Sequence, residues 1–215
     1  MESDPACCST LRKNEPELKI IEDRIENVSS EIILQTANLK PLEAALVIGG
    51  PPCQPFSLAG NRKGLEDPRG YLIKEFIRVV RETLPVGFVF ENVRGLLNWD
   101  KGKAIDLIIE ELSKPIAHDG LIYKYTLAKP TVLNAVDFGV PQNRERVFIV
   151  GNRLGKSFTF PNPTHFSIEQ VNLFGIQPYK TVWDAIKDLP VPEEPSEVAR
   201  RVSKKIKQRI VNHGY

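Results

Sequence analysis

The sequence predicts an α/β fold built on a mostly parallel sheet that helices cover on both faces. Short apolar runs alternate along the chain with segments whose apolar residues recur at helical spacing. Apolar runs bounded by turn residues indicate strands that are buried on both faces, as in parallel sheets. A glycine- and proline-rich turn follows one of these runs, at a place where open sheets of this class bind ligands.

Each element is expected from its local pattern, in chain order. Helical spacing of apolar residues predicts helices at 71–83 and around 105–112, and a short one at 182–189. Residues 196–212 place Val198, Val202, Ile206 and Ile210 four apart among lysines and arginines, which predicts a basic amphipathic helix. Strands are expected at residues 18–22, 44–49, 86–90, 123–133 and 147–151.

Composition narrows the class of protein. The 215 residues are 41% hydrophobic and 26% charged, with a net charge of +2, which is typical of a soluble globular protein. The sequence shows neither a run of eighteen apolar residues nor a charged-then-apolar leader, so we expect no membrane span and no signal peptide. The odd cysteine count, with Cys7 and Cys8 adjacent, favours a reducing cytoplasmic compartment. The scattered histidines predict no metal site.

The amino-acid composition of the chain changes near residue 158, where prolines become frequent. We interpret residues 1–157 as one domain and residues 158–215 as a proline-rich connection that ends in the basic helix. Clustered Lys and Arg between Arg200 and Arg209 fit either a solvated helix face or a surface that contacts backbone phosphates.

Cys53 stands in the turn Gly-Gly-Pro-Pro-Cys-Gln-Pro-Phe-Ser, residues 49–57, directly after an apolar run. Glycine allows backbone conformations that other residues avoid, and proline restricts the backbone. We therefore expect this turn to hold the thiol accessible at the carboxyl end of the preceding strand. A cysteine in that position is a candidate nucleophile.

Two further motifs follow the cysteine turn in order: Phe-Glu-Asn-Val at residues 90–93 and Gln-Asn-Arg-Glu-Arg-Val at 142–147. Together with the sequences at 133–141 and 181–186, they make residues 2–190 resemble the cytosine-5 DNA methyltransferase family. The resemblance implies a Rossmann-like, S-adenosylmethionine-dependent methyltransferase sheet. It also implies methylation of DNA cytosine, as in restriction-modification systems.

By this resemblance, Cys53 is the thiolate that adds to carbon 6 of the cytosine, and Glu91 donates a proton or hydrogen bond to ring nitrogen 3. That role of Glu91 is expected to need a desolvated pocket behind Phe90 and Val93. Arg144 and Arg146 supply cationic groups, one on the cytosine carbonyl and Glu91, the other toward the catalytic loop or a phosphate. The target base must be flipped out of the duplex.

The chain departs from the family pattern at the cofactor site. The glycine-rich Phe-x-Gly-x-Gly motif is absent, so we expect the sheet to be incomplete at the N-terminus, with Glu2 as the ribose-binding acid and Asp23 as the adenine contact. The target-recognition region and the closing motifs are not evident either. The resemblance therefore implies that residues 1–157 are a partial methyltransferase catalytic domain and that residues 158–215 lead toward the missing target-recognition region. Three explanations stay open: a fragment, a decayed relic, or half of an enzyme whose complementing polypeptide carries the missing motifs. We therefore expect the chain alone to bind S-adenosylmethionine weakly or not at all.

Two alternatives remain for the function. Methyltransferases that act on transfer RNA share the cysteine turn, so an RNA substrate is open. An inactive nucleic-acid-binding remnant that uses the segment from Arg200 to Arg209 is the third hypothesis.

Overall fold

A computed structural model describes residues 1–52, 71–168 and 177–189 of the chain. The chain divides into two compact units, Met1–Tyr179 and Lys180–Tyr215. The predicted cysteine loop at 53–57 and the predicted basic helix at 196–212 lie outside the described residues. The interpretation of residues 158–215 as a connection to a target-recognition region stays a prediction.

The described part of the first unit contains four α-helices, and capping side chains fix the start of two of them. Asp4 accepts hydrogen bonds from the amides of Ala6 and Cys7, and Ser29 accepts one from the amide of Ile32. These bonds satisfy amides that a helix start leaves unpaired. The helices are α1 (Pro5–Asn14), α2 (Ser30–Ala37), α3 (Tyr71–Thr83) and α4 (Lys103–Ser113).

The main described sheet has five strands in the order β1-β2-β7, with β5 and β6 both paired to the far side of β7. Strands β1 and β2 are parallel, whereas β7 is antiparallel to all of its neighbours. Four of the five strands therefore run in the same direction, and the predicted α/β fold is confirmed. The strands are β1 (Leu46–Gly49), β2 (Gly87–Val93), β5 (Thr126–Leu127), β6 (Thr131–Asn134) and β7 (Glu145–Asn152).

Two small two-stranded sheets accompany it. The hairpin β3 (Ile116–His118) and β4 (Leu121–Tyr123) turns at Asp119 and Gly120, both with positive φ. Strands β8 (His165–Phe166) and β9 (Gln177–Pro178) pair in parallel. No helix in the described ranges is both long enough and apolar enough to cross a membrane.

Alternate residues of β2 face opposite sides of the sheet, because side chains alternate along a strand. Phe88 and Phe90 are fully buried, and both stack edge-to-face on Phe76 of α3. Val147 and Ile149 of β7 join the same core. We call this side of the sheet the helix-covered face, and the side that carries Glu91 the opposite face.

The structure corrects three boundaries. Residues 18–22 form no strand: within the described residues, the amide of Glu2 bonds to the carbonyl of Ile21, and Glu2 and Glu22 form a single bridge. The predicted strand at 123–133 is broken into β5 and β6 around Pro130, which has no amide hydrogen to donate. The helix expected at 182–189 ends earlier, as α5 (Val182–Ile186) in the second unit.

Candidate functional site

The carboxyl ends of β1 and β2 lie side by side and bring the turn after β1 next to Glu91. Gly49 is paired with Phe90 in the parallel register. A Cβ atom built on Gly50 would lie 2.7 Å from Oε2 of Glu91, so the backbone there passes directly beside the carboxyl group. This close approach gives Gly50 a specific function, because a residue with a side chain would displace Glu91.

Glu91 and Arg146 form an ion pair on the opposite face of the sheet. Arg146 Nε lies 2.9 Å from Glu91 Oε1, and the two side chains are 23% and 30% exposed. The register explains the contact: Val93 is paired with Arg146, so Glu91 and Arg146 are diagonal neighbours on adjacent strands. Of the two residues expected to form a desolvated pocket for Glu91, Phe90 cannot do so, because it lies on the helix-covered face and packs in the core. Val93 is on the same face as Glu91.

Arg144 lies just before β7, and its backbone is held firmly while its side chain is exposed. Its amide donates to Asn134 Oδ1 at 2.9 Å, and its carbonyl accepts from the amide of Ala135 at 3.0 Å. Among the described residues, Arg146 and not Arg144 contacts Glu91. The structure therefore gives the two predicted arginines different environments.

Asn92 links the end of β2 to the turn after β1. Its side chain is 3% exposed; Oδ1 accepts from the amide of Val93 at 2.9 Å, and Nδ2 donates to the carbonyl of Pro51 at 3.1 Å. The bond to Pro51 spans 41 residues of sequence, and no local pattern indicates it.

A cavity of ≈ 730 Å³ opens beside this turn, along the edge of β1. Glu2 and Asp23, the two predicted cofactor residues, line it together with residues 49–52 and with apolar side chains that include Ile33 and Phe76. The structure thus brings both candidates to one place. Pro52 also lines the cavity, and Cys53, the next residue in the chain, lies outside the described residues.

Both acids bond to protein groups through one carboxylate oxygen. Oε1 of Glu2 accepts from the amides of Ser3 and Asp4, at 2.7 and 2.9 Å. Oδ1 of Asp23 accepts from Asn27 Nδ2 at 2.9 Å and from the amide of Arg24 at 2.6 Å. The hydrogen bond from Asn27, followed by the one from that amide, lowers the pKa of Asp23. In both residues the second oxygen can still accept a bond from a ligand.

The described residues hold no group of three or more His, Cys, Asp or Glu side chains placed to bind a metal ion. Cys7 is exposed on α1, whereas Cys8 is buried there.

Comparison with known proteins identifies the family. A family model described as C-5 cytosine-specific DNA methylase matches residues 1–213. The chain is 58% identical over 220 residues to the Type II methyltransferase M.AquIA of Picosynechococcus, covering 100% of this chain and 88% of that protein. It is 39% identical to the Type II methyltransferase M1.HphI of Haemophilus parahaemolyticus, over 88% of this chain and 46% of that protein.

The similarity extends to the fold of solved structures. A candidate DNA modification methyltransferase from an E. coli prophage matches with a TM-score of 0.63 and 24% identity, over 89% of this chain and 47% of that one. The Dnmt2 methyltransferase of S. pombe matches with a TM-score of 0.51 and 21% identity, over 80% and 46% of the two chains. Apart from its match to M.AquIA, the chain spans about half the length of these relatives.

Proposed function

Because this chain belongs to the C-5 cytosine-specific DNA methylases, we propose that it carries the catalytic half of a cytosine-5 methyl transfer to DNA. The observation that supports the proposal best is the Glu91–Arg146 ion pair beside the turn that leads into Cys53. The match to a DNA methylase family gives the transfer-RNA alternative no support.

In the proposed reaction, the Cys53 thiolate adds to carbon 6 of a flipped cytosine, and this addition makes carbon 5 nucleophilic. Negative charge then develops on the ring, and a proton carried on Oε2 of Glu91 makes a hydrogen bond to ring nitrogen 3. Arg146 holds the Glu91 carboxyl in place through its 2.9 Å contact with Oε1. After carbon 5 has received the methyl group, a base such as water takes the proton from carbon 5. The electron pair of that carbon–hydrogen bond then expels Cys53 as the thiolate. The exposed Arg144 is available for the cytosine carbonyl or a phosphate.

The cavity along β1 fits the adenosine part of S-adenosylmethionine. When bound, this cofactor supplies the methyl group that carbon 5 receives. We propose that the second oxygen of Glu2 accepts from the ribose hydroxyls and that of Asp23 accepts from the adenine amino group. The apolar side chains of Ile33 and Phe76 in the cavity wall suit the flat faces of the base.

The edge of β1 supports the proposal of a complementing polypeptide. Strand β1 pairs with β2 on one side, and no described strand pairs with its other side. Leu46 and Ile48 on this strand are 51% and 70% exposed. The cavity separates this edge from Glu2, so there is room for an added strand. A strand from a second chain would satisfy the free edge and bring a glycine-rich turn to the cofactor cavity.

Covalent trapping tests the catalytic proposal. Fluorine at carbon 5 cannot leave as a proton does, so a cytosine-5 methyltransferase stays bound to 5-fluorocytosine through its cysteine. The substrate is a long PCR product with every cytosine replaced by 5-fluorocytosine, because such DNA contains all short recognition sequences. With S-adenosylmethionine, the chain is assayed alone and with the co-expressed product of a neighbouring reading frame that encodes the glycine-rich motif. We expect a denaturant-stable adduct that is absent in Cys53→Ser; an adduct that survives this substitution contradicts the proposal.

Co-purification tests the complementing polypeptide separately. The variant Ile48→Asp places a charge on the free edge of β1, and Ile122→Asp places one on the β3–β4 hairpin, where the parent side chain is 66% exposed. We expect Ile48→Asp to lose the partner and Ile122→Asp to keep it. Equal retention of the partner by both variants would show that the β1 edge is not the binding surface.

A further inference from the structure

Two consecutive residues at the end of β2 hold the turn after β1 from opposite sides. Glu91 contacts Gly50 from the opposite face of the sheet, where a Cβ on Gly50 would be 2.7 Å from Oε2. Asn92 contacts Pro51 from the helix-covered face, through the bond from Nδ2 to the Pro51 carbonyl. Neighbouring side chains on a strand point to opposite faces, so the two contacts are independent attachments of one turn.

Burial makes the bond from Asn92 to Pro51 a strong constraint. Phe88 and Phe90 occupy the equivalent positions earlier in β2, so an apolar residue would suit position 92 for packing alone. A buried amide is unfavourable unless its polar atoms are bonded. At 3% exposure, Asn92 has both polar atoms bonded, and one of these bonds reaches the turn.

We infer that Asn92 is a positioning residue that fixes the turn leading into Cys53 relative to Glu91. This inference rests on the proposed function, since it assigns Asn92 the task of setting the thiol against the acid. Asn92 acts through Pro51 and does not touch the cytosine. Prolines at positions 51 and 52 restrict the backbone, so a fixed Pro51 carbonyl limits where the next residue begins.

The test compares Asn92→Ala with a matched control. Asn92→Ser is included as a second variant, because its hydroxyl can still accept from the Val93 amide while being too short to reach Pro51. Thr83→Val is the control: it also removes a buried side-chain bond to the backbone, from Thr83 Oγ1 to the Val79 carbonyl at 2.7 Å, far from the turn. Each full chain is purified with its co-expressed partner and mixed with S-adenosylmethionine and 5-fluorocytosine DNA.

The first measurement separates positioning from binding. We expect the rate of adduct formation at saturating DNA to fall about tenfold or more in both Asn92 variants, with DNA affinity within about twofold of wild type. Thr83→Val should keep the wild-type rate at saturation. The inference is overturned if Asn92→Ala and Asn92→Ser form adduct as fast as Thr83→Val, or if only their DNA affinity falls.

The second measurement does not depend on the reaction. Hydrogen exchange of the backbone amides in residues 46–50 reports how firmly the end of β1 and the start of the turn are held. We expect faster exchange in both Asn92 variants and unchanged exchange in Thr83→Val. If wild type forms no adduct, the proposed function fails, while this exchange still decides on the link to Pro51: exchange equal to wild type refutes it.

Discussion

Gly49, the last residue of β1, and Gly50, the residue after it, give opposite predictions for the same substitution. Alanine at Gly50 would place its Cβ 2.7 Å from Oε2 of Glu91, at the tip of a side chain. Alanine at Gly49 would place its Cβ 2.5 Å from Cδ2 of Phe76, a ring that is 6% exposed and packed in the core. We predict that Gly50→Ala damages catalysis and spares stability, and that Gly49→Ala damages stability.

The magnitudes follow from these contacts. To reach an ordinary contact of 3.4 Å, the Glu91 carboxyl must retreat by roughly 0.7 Å, which displaces it from its present position and at most weakens its 2.9 Å contact with Arg146. Losing a partly exposed ion pair lowers the free energy of unfolding by about 0–1 kcal/mol. Replacing glycine by alanine raises it by about 0.4–1 kcal/mol, because alanine reduces the conformational entropy of the unfolded chain. The stability of Gly50→Ala should therefore stay within about 1 kcal/mol of wild type. Overpacking beside Phe76 should cost Gly49→Ala about 1–3 kcal/mol.

Urea unfolding and adduct formation on 5-fluorocytosine DNA measure the two effects. A misplacement of about 1 Å can slow a reaction about 100-fold, so the smaller shift in Gly50→Ala should slow adduct formation roughly tenfold or more at saturating DNA. Gly49→Ala, assayed at a temperature where it is folded, should lower the urea midpoint. The reasoning is refuted if Gly50→Ala reacts at the wild-type rate, or if its urea midpoint falls as far as that of Gly49→Ala.

Three further predictions concern residues that stabilise the structure around the candidate site. Arg78→Met should lower the free energy of unfolding by about 2–4 kcal/mol in urea, because the guanidinium bonds two carbonyls of the 25–28 segment and the carboxyl of Glu75; an unchanged midpoint contradicts this. Asn27→Ala should raise the pKa of Asp23 toward its ordinary value, and a carboxyl NMR titration measures this change. Because its pKa is lowered in the folded chain, Asp23 stabilises wild type at pH values above its ordinary pKa, and this stabilisation is lost as the pH falls through the lowered pKa. The variant should show a smaller stabilisation of this kind. Tyr125→Phe should lower the free energy of unfolding by about 1–2 kcal/mol at neutral pH, because it removes the buried hydrogen bond from the Tyr125 hydroxyl to the Pro85 carbonyl. Burial raises the pKa of Tyr125, so the stability that the neutral phenol gives wild type should be lost as the pH rises above about 10, the ordinary tyrosine pKa. The free energy of unfolding of Tyr125→Phe should therefore fall less steeply with pH above about 10 than that of wild type.

The sequence predicts most of the helices and strands around the site, because their hydrophobic residues recur with clear periodicity. Helix α3 has the expected bounds, since its apolar residues recur on one face. Strands β1 and β2 lie where short apolar runs predict them. The apolar run that starts at Val147 predicts the next strand, and β7 begins two residues earlier, at Glu145 between the two arginines.

Features that depend on distant partners could not be predicted. Residues 18–22 have strand-like composition, yet a strand also needs a neighbour, and Glu2 supplies only one bridge. The antiparallel direction of β7 depends on how the chain returns after β6, which the local pattern of residues 145–152 does not encode. The use of Gly50 for a close approach to Glu91 depends on the register between strands that are about forty residues apart in sequence.

The end of β2 explains why sequence pattern fails most at the site itself. Along this strand, Phe88 and Phe90 follow the rule that one face is apolar, and Asn92 breaks it at the next buried position. A polar residue at a core position is unfavourable for packing, so it persists where its bonds serve another purpose. Here the bond reaches Pro51, while Glu91 on the other face pairs with Arg146 and lies against Gly50. A single strand end thus both carries the proposed acid and anchors the backbone at Pro51, two residues before the proposed nucleophile Cys53.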